Sequence, residues 1–426
     1  MTQASEIDPG SIELIDAEDI DVSAEQSQPA KQSGLVRFLL GASLVLIAFN
    51  LRPVFSSASA LLLEIRENFG LSPTGASLLT TLPVVCLGLF SPLAPRLARR
   101  IGTERTLLAV VVLLAIGTAA RGTSSVPLLF LGTALAGACI AVGNVLLPGL
   151  VKRDFPDKAA LVTGWYTMAL CAGAAAGAGL TIPFEAALGG SIEGALAIWA
   201  VPALVVAVLW FPQVMATRKR PKGPTYVVKG MWGDRLAWHV TLFMGLQSAL
   251  AYCVFGWLVP ILRARGLDGV TAGAIVSVSV MVQAAACLIA PHLAVRGKDQ
   301  RLINVALCAI AVIALLGLQF APLSTVWIWA VLQGIGQGGL IAVALTVIVL
   351  RTKDSHSAAQ LSGMAQCVGY TLAAIGPLIV GLIRSWTGSF AWSAVLFVAL
   401  GLGAAINGWF AGKASHVNVE TVKLSG

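Results

Sequence analysis

Twelve apolar stretches, each long enough to cross roughly 30 Å of hydrocarbon as a helix, take up most of this chain. They run from Leu35 to Leu63, Thr74 to Ala94, Thr106 to Ala120, Val126 to Val151, Ala159 to Phe184, Gly194 to Met215, Leu236 to Leu262, Ala272 to Pro291, Leu302 to Phe320, Thr325 to Leu350, Ala358 to Arg384 and Phe390 to Gly412. Hydrophobic residues make up 57% of the chain and charged residues only 11%, where soluble domains carry about a quarter charged residues. Such a chain requires a lipid bilayer as its solvent, and the expected fold is an all-α membrane protein with twelve transmembrane helices.

The two halves repeat one another. Ala94-Pro95-Arg96-Leu97-Ala98-Arg99-Arg100 returns 196 residues later as Ala290-Pro291-His292-Leu293-Ala294-Val295-Arg296. At the same offset Gly70-Leu71 meets Gly266-Leu267, Ala76 meets Ala272 and Arg105 meets Arg301. The division that follows is two pseudo-symmetric six-helix bundles, residues 35–215 and 236–412. A basic linker, 216–235, joins them, and tails at 1–34 and 413–426 flank them. Internal symmetry carried by apolar spans is typical of secondary transporters, whose site lies between the repeats near mid-bilayer.

Orientation follows from the Lys and Arg residues, because positive loops stay in the cytoplasm. With a cytoplasmic N-terminus, the inner segments hold 22 of the 28 Lys and Arg residues and the outer segments five. Both termini are therefore expected inside a multi-pass protein of the cell's inner membrane. The net charge of +8 is explained by this topology, and no nucleic-acid partner is expected. The tail before Lys31 carries eight acidic residues between Glu6 and Glu25 and no apolar periodicity, which reads as disorder. It also lacks the basic start and short apolar core of a signal peptide. All seven cysteines fall within the spans without metal-ligand spacing, so neither a disulfide framework nor a metal site is expected, and no cofactor is implied.

One charge stands apart. Arg52, in Asn50-Leu51-Arg52-Pro53, lies 15 residues beyond Arg37 and 12 before Glu64, roughly 20 Å from either end of a helix. A mid-bilayer arginine costs at least about 2.5 to 3.5 kcal/mol, and such residues face a cavity, a partner or a substrate. No Asp or Glu lies at comparable depth; Glu64, Glu185 and Glu193 sit toward the outer side. Three roles are open for Arg52: binding a small anion through its fork of donors, bonding to helix carbonyls or amides as a structural element, or gating. Pro53 lacks an N–H and invites a kink beside it, either bordering a cavity or simply tolerated by packing. Ser56, Ser57 and Ser59 are expected to line the outer half of the same path.

The remaining polar side chains near mid-span include Asn144, Gln247, Gln283, Gln333, Gln337, Gln366 and Tyr370, with Tyr166, Tyr252 and Trp257 offset toward one side. Each serves either as interhelical glue or as a contact to solute. Gln247, Gln337 and Tyr370 match the depth of Arg52 and are expected to face it from the second half. Glycines 173, 177 and 179 in the fifth span and 334, 336, 338 and 339 in the tenth mark close helix contacts. The latter run lies inside an apolar span with no preceding strand, so it is not a nucleotide loop.

The segment Leu97-Ala98-Arg99-Arg100-Ile101-Gly102-Thr103-Glu104-Arg105 resembles the cytoplasmic loop of the major facilitator superfamily, where glycines, an Asp and basic residues organise a latch. Here Pro95 and Arg99 stand where that family has its first Gly and its Asp, and Glu104 or Asp154 is the candidate acidic partner. Pro53, Arg99, Arg100, Arg105, Arg296 and Arg301 are accordingly candidate gating residues; the alternative for the arginines is solvated charge on the inner face. Further segments are similar to one branch, the cyanate and 2-nitroimidazole transporter family. They are Asn50-Leu51-Arg52-Pro53, Leu79-Thr80-Thr81-Leu82-Pro83-Val84, Asn144-Val145-Leu146-Leu147-Pro148, Lys152-Arg153-Asp154-Phe155-Pro156-Asp157, Gly245-Leu246-Gln247-Ser248, and Ser362-Gly363-Met364-Ala365-Gln366 with Gly369-Tyr370. The resemblance spans about residues 35 to 412 and implies a major facilitator fold that works by alternating access on small anions or small nitrogen-containing molecules.

The expected function is transport of a small solute, with Arg52, Asn50, Asn144, Gln247, Gln337, Gln366, Tyr370, Tyr252 and Trp257 as candidate contacts in a monomer. No intramembrane acid or histidine offers a proton path, since His239, His292, His356 and His416 lie at span ends, loops or tail. Coupling to protons, exchange for a counter-anion, and facilitation all stay open. A multidrug or metabolite efflux carrier is the alternative. A receptor or an enzyme would need a large extramembrane domain or a buried catalytic pair, which the sequence lacks.

Overall fold

The computed structural model describes residues 34–155, 159–216, 226–353 and 355–423. The acidic segment 1–33 and the middle of the linker, 217–225, lie outside the described residues. Leu40–Gly426 forms one compact unit; of the other, Met1–Leu39, the described part is the start of the first helix.

The first half comprises α1 (Gly34–Asn50), α2 (Pro53–Ala60), α3 (Leu62–Asn68), α4 (Pro73–Phe90), α5 (Leu93–Ile101), α6 (Thr103–Ala120), α7 (Val126–Asp154), α8 (Ala159–Ala187), α9 (Ile192–Ala197) and α10 (Ala200–Ala216). After a short strand β1 (Tyr226–Lys229), the second half comprises α11 (Arg235–Ala264), α12 (Gly269–Arg296), α13 (Arg301–Phe320), α14 (Val326–Leu350), α15 (Ser355–Ala373), α16 (Ile375–Thr387) and α17 (Ser393–Ala411), followed by β2 (Glu420–Lys423). Among the described residues eleven helical segments are long and apolar enough to cross a membrane, and a shorter apolar helix, Thr74–Phe90, stands at the second span.

The repeat is visible in helix ends. Gly70 and Gly266 both take positive φ, +61° and +98°, the left-handed conformation that favours glycine after a helix. Two residues on, Ser72 and Asp268 cap α4 and α12, accepting from the N–H groups of Gly75 at 3.1 Å and Thr271 at 2.9 Å. The symmetry then breaks. Pro92 has no N–H for the carbonyl one turn back, so α4 stops and Ala94–Arg100 belongs to the separate helix α5. At the equivalent position Leu288 lets α12 run on through Ala290–Arg296.

Within the halves, α6 packs on α7 and α10, and α12 and α13 flank α14. A Cβ on Gly334 or Gly338 would come within 2.3 Å of backbone oxygens of α12, so the tenth-span glycines set the distance between helices. The halves meet along three seams, α8 with α12, α4 with α15 and α16, and α2 with α11. Helix α11 belongs to both systems, and an unbroken run from Gln247 to Leu262 is buried.

The linker and the C-terminal tail are joined. β1 and β2 pair antiparallel, with Val228 opposite Thr421. Asp234 caps α11 through Ala237 N–H at 2.8 Å and accepts from Asn418 N–H at 3.0 Å. Val417 N–H donates to the Arg351 carbonyl at 2.8 Å, and the buried Arg351 guanidinium donates to the Ala411 and Gly412 carbonyls at 2.8 and 3.2 Å and to Gln300. This end of the molecule is called the sheet end below, and the opposite one the far end.

Candidate functional site

Arg52 sits at a break in the first span. Leu51 and Arg52 separate α1 from α2, and Pro53 opens α2. Asn50 bonds back to the Leu46 carbonyl at 2.8 Å, and Leu51 N–H tightens to the Ala48 carbonyl at 3.1 Å. The Phe49 carbonyl, which Pro53 cannot reach with a hydrogen bond, lies against α8, where a Cβ on Gly173 would stand 2.0 Å from it. The fifth-span glycine thus makes room for the kink that presents Arg52.

Arg52 is half-buried, and its guanidinium lies toward Phe255 of the second half. Tyr252 of α11, Tyr370 of α15 and Cys171 of α8 are the polar side chains near enough to act on it. The Phe255 ring lies 6.0 Å away, at the limit of cation–π contact. Tyr252 meets Phe55 at 5.7 Å, Tyr370 at 6.1 Å edge-on and Phe255 at 6.3 Å. Arg52 forms no ion pair among the described residues. Among the described residues its surroundings are aromatic rings, neutral hydroxyls and a thiol, none of which balances the positive charge.

The other candidates separate by position. Tyr252 and Tyr370 are buried beside Arg52. Gln247 and Gln337 bond to each other inside the second half, Gln337 Nε2 donating to the Gln247 carbonyl at 3.1 Å and to its Oε1 at 3.3 Å. Gln366 donates to Ser362 at 2.9 Å along its own helix, and Asn144 is half-buried on α7. Trp257 donates to the Pro377 carbonyl at 2.8 Å, nearer the far end. Ser56 packs toward Gly177 and Ser57 toward Arg121, into the first half.

Of the candidate gating arginines, Arg100, Arg105 and Arg296 are exposed, while the Arg99 side chain lies outside the described residues. Arg301 lies over Trp409 at 5.3 Å and 3.7 Å from Asp299. The acids Glu104 and Asp154 converge on Arg153, each at 2.6 Å, so an acid–base cluster does form at the start of α6 and the end of α7.

Four residues were not legible as site elements. Phe55 and Phe255 follow Arg52 and Tyr252 by three positions, on the same helical face, yet as apolar residues in apolar spans they carried no signal. Glu64 and Arg263 form an ion pair between the halves at the far end, 2.7 Å and 2.9 Å to the two carboxylate oxygens, with Glu185 near enough to act on both. Every ion pair toward the sheet end, among the described residues, stays within one half. Beneath the Glu64–Arg263 pair, α2, α4 and α11 enclose a cavity of about 10 Å³ lined by Phe55, Thr80, Tyr252 and Phe255, room for about one water.

A family profile described as Major Facilitator Superfamily matches residues 38–332. The chain belongs to the Major Facilitator Superfamily. It is 39% identical to the 2-nitroimidazole transporter of Escherichia coli over 387 residues, covering 90% of this chain and 98% of that one. It is 28% identical to the cyanate transport protein CynX of Escherichia coli over 352 residues, 82% of this chain and 90% of that one. Among solved structures, a bacterial homolog of the human lysosomal transporter Spinster superposes with a TM-score of 0.70 at 16% identity, over 89% of this chain and 97% of that chain; this likeness is one of fold. The protein is a multi-pass membrane transporter and not an enzyme.

Proposed function

We propose that this major facilitator protein carries a small anion by alternating access, with Arg52 as the charge that binds it and the Tyr252 and Tyr370 hydroxyls as its neutral neighbours. The observation that carries this reading is a guanidinium at a helix break, faced by the opposite half and without a carboxylate partner among the described residues. A compact anion such as cyanate satisfies the donors that the protein leaves unbalanced, and the cost of holding the charge in the membrane is offset only while cargo is bound.

The Glu64–Arg263 pair and the small cavity beneath it fit a conformation shut at the far end, in which cargo reaches Arg52 from the sheet end. With the sheet end cytoplasmic in the inner membrane, as the distribution of Lys and Arg suggests, this is the inward-open half of the cycle of a monomer. A potential negative inside opposes anion entry by about 2.3 kcal/mol per charge per 100 mV. Export, proton-linked import or exchange for another anion therefore fits better than anion uniport.

The aromatic set of Phe55, Tyr252, Phe255 and Tyr370 favours a second cargo class. A flat heteroaromatic ring, as in the 2-nitroimidazole of one relative, stacks on such rings without needing a full charge. Flux into proteoliposomes separates the two readings. Cyanate and nitrite uptake should fall at least tenfold in Arg52→Ala and be partly retained in Arg52→Lys, with fold and yield unchanged. Uptake of 2-nitroimidazole that survives in Arg52→Ala while anions fail to enter wild-type vesicles would favour the ring-binding carrier.

A further inference from the structure

At the far end, outside the Glu64–Arg263 pair, lies a second cavity, of about 150 Å³. Three cations from three helices line it, Arg66 of α3, Arg263 of α11 and Arg384 of α16, together with Trp257, Pro260 and Phe390. Glu64 neutralises Arg263. Arg66 and Arg384 form no ion pair among the described residues; Arg384 donates to the Gly388 carbonyl and lies over the Phe390 ring at 4.9 Å. Trp257 and Phe390 lie with ring centroids 5.8 Å apart, their planes inclined at 57°. The cavity therefore combines an apolar, partly aromatic lining with two arginines that have no ion-pair partner among the described residues.

Size and chemistry restrict what fits. A cavity of about 150 Å³ holds a benzene ring, and a triatomic anion would leave most of this apolar wall uncovered. The lining favours a compact apolar body and the arginines a negative group, a combination found in monocyclic aromatic or heteroaromatic anions. We propose that this cavity is a holding site at the far mouth for a monocyclic aromatic anion, its ring against Trp257 and Phe390 and its negative group on Arg66 and Arg384.

The site is distinct from that of Arg52. Trp257 lies five residues beyond Tyr252 on α11, about 7 to 8 Å along the helix axis. Arg263, also in the lining, is already held by Glu64, which leaves Arg66 and Arg384 as the charges open to a ligand. The inference shares with the anion reading only the sign of the cargo's charge.

Equilibrium dialysis of radiolabelled benzoate against the full-length protein in nanodiscs, with empty nanodiscs subtracted, tests it. Wild type should bind benzoate saturably, and the Arg66→Gln/Arg384→Gln double variant should bind it at least tenfold more weakly. Arg52→Gln should bind as wild type does, and imidazole at neutral pH should not compete. A thermal melt like that of wild type establishes that the double variant is folded; Arg384→Lys, which keeps the charge, should retain binding within about threefold. Absence of benzoate binding by wild-type protein that still moves cyanate would overturn the holding site and leave the Arg52 reading intact. So would binding that is lost in Arg52→Gln and untouched in the double variant. Benzoate binding that follows Arg66 and Arg384, in a protein whose cyanate flux ignores Arg52, would support the holding site and reject the Arg52 reading.

Discussion

Arg263 holds both carboxylate oxygens of Glu64 from a single nitrogen, Nη1, at 2.7 and 2.9 Å, and in doing so ties the seventh span to the first across the boundary between the repeats. Both side chains are about a quarter exposed, so the pair adds no more than about 1 kcal/mol to stability. A contribution of that size suits a bond that must break in every transport cycle.

Neutralising the acid should therefore open the far end without unfolding the protein. In a cysteine-free background carrying Ala58→Cys, which places a thiol in the small cavity beneath the pair, Glu64→Gln should speed modification by a membrane-impermeant thiol reagent added from the far side about threefold to tenfold. An unchanged rate would show that the pair does not hold the halves together.

Arg121 differs in kind from Arg52. It is fully buried beside the far end, its Nη2 reaches the Ser57 hydroxyl only at 3.5 Å, and its Nε and Nη1 have no partner among the described residues. Burial pushes its pKa down to about 10. Replacing such a cation by an apolar side chain of similar length removes a desolvation cost. Arg121→Met is expected to stabilise the protein by about 1 to 3 kcal/mol, seen as a higher Tm in detergent. A lower Tm would assign Arg121 a partner in the native membrane.

The kink that presents Arg52 depends on a missing side chain. Adding a methyl at Gly173 forces Phe49 and the α1–α2 break to move, because the new carbon would overlap the Phe49 carbonyl. Gly173→Ala should cost about 1 to 3 kcal/mol and reduce transport more than this loss of stability explains. Thermal melts and flux measured on the same preparation check it; wild-type flux would uncouple the break from the site.

Much of this architecture is legible in the sequence. The repeated Gly-Leu pairs mark equivalent helix ends, and Ser72 and Asp268 follow them as caps because local backbone chemistry is written in neighbouring residues. Arg52 announces itself because a charge has no ordinary place in an apolar span. The contacts that complete the site are of another kind. Glu64 and Arg263 are 199 positions apart, and β1 finds β2 from opposite ends of the second half; nothing local encodes either pairing. Gln247 and Gln337 share the depth of Arg52, but depth leaves rotation about the helix axis undetermined, and they bond to each other inside the second half. The Pro92 break shows the converse, where one proline makes two aligned segments fold differently.

Binding of labelled cyanate to the purified protein in nanodiscs, wild type against Arg52→Gln, bears on the anion site more directly than flux does, because it needs neither a gradient nor a full cycle. Wild type should bind one cyanate per chain saturably, and Arg52→Gln, with unchanged helicity and Tm, should bind at least tenfold more weakly. Equal affinity in the two proteins would contradict the assignment of Arg52 as the charge that holds the cargo.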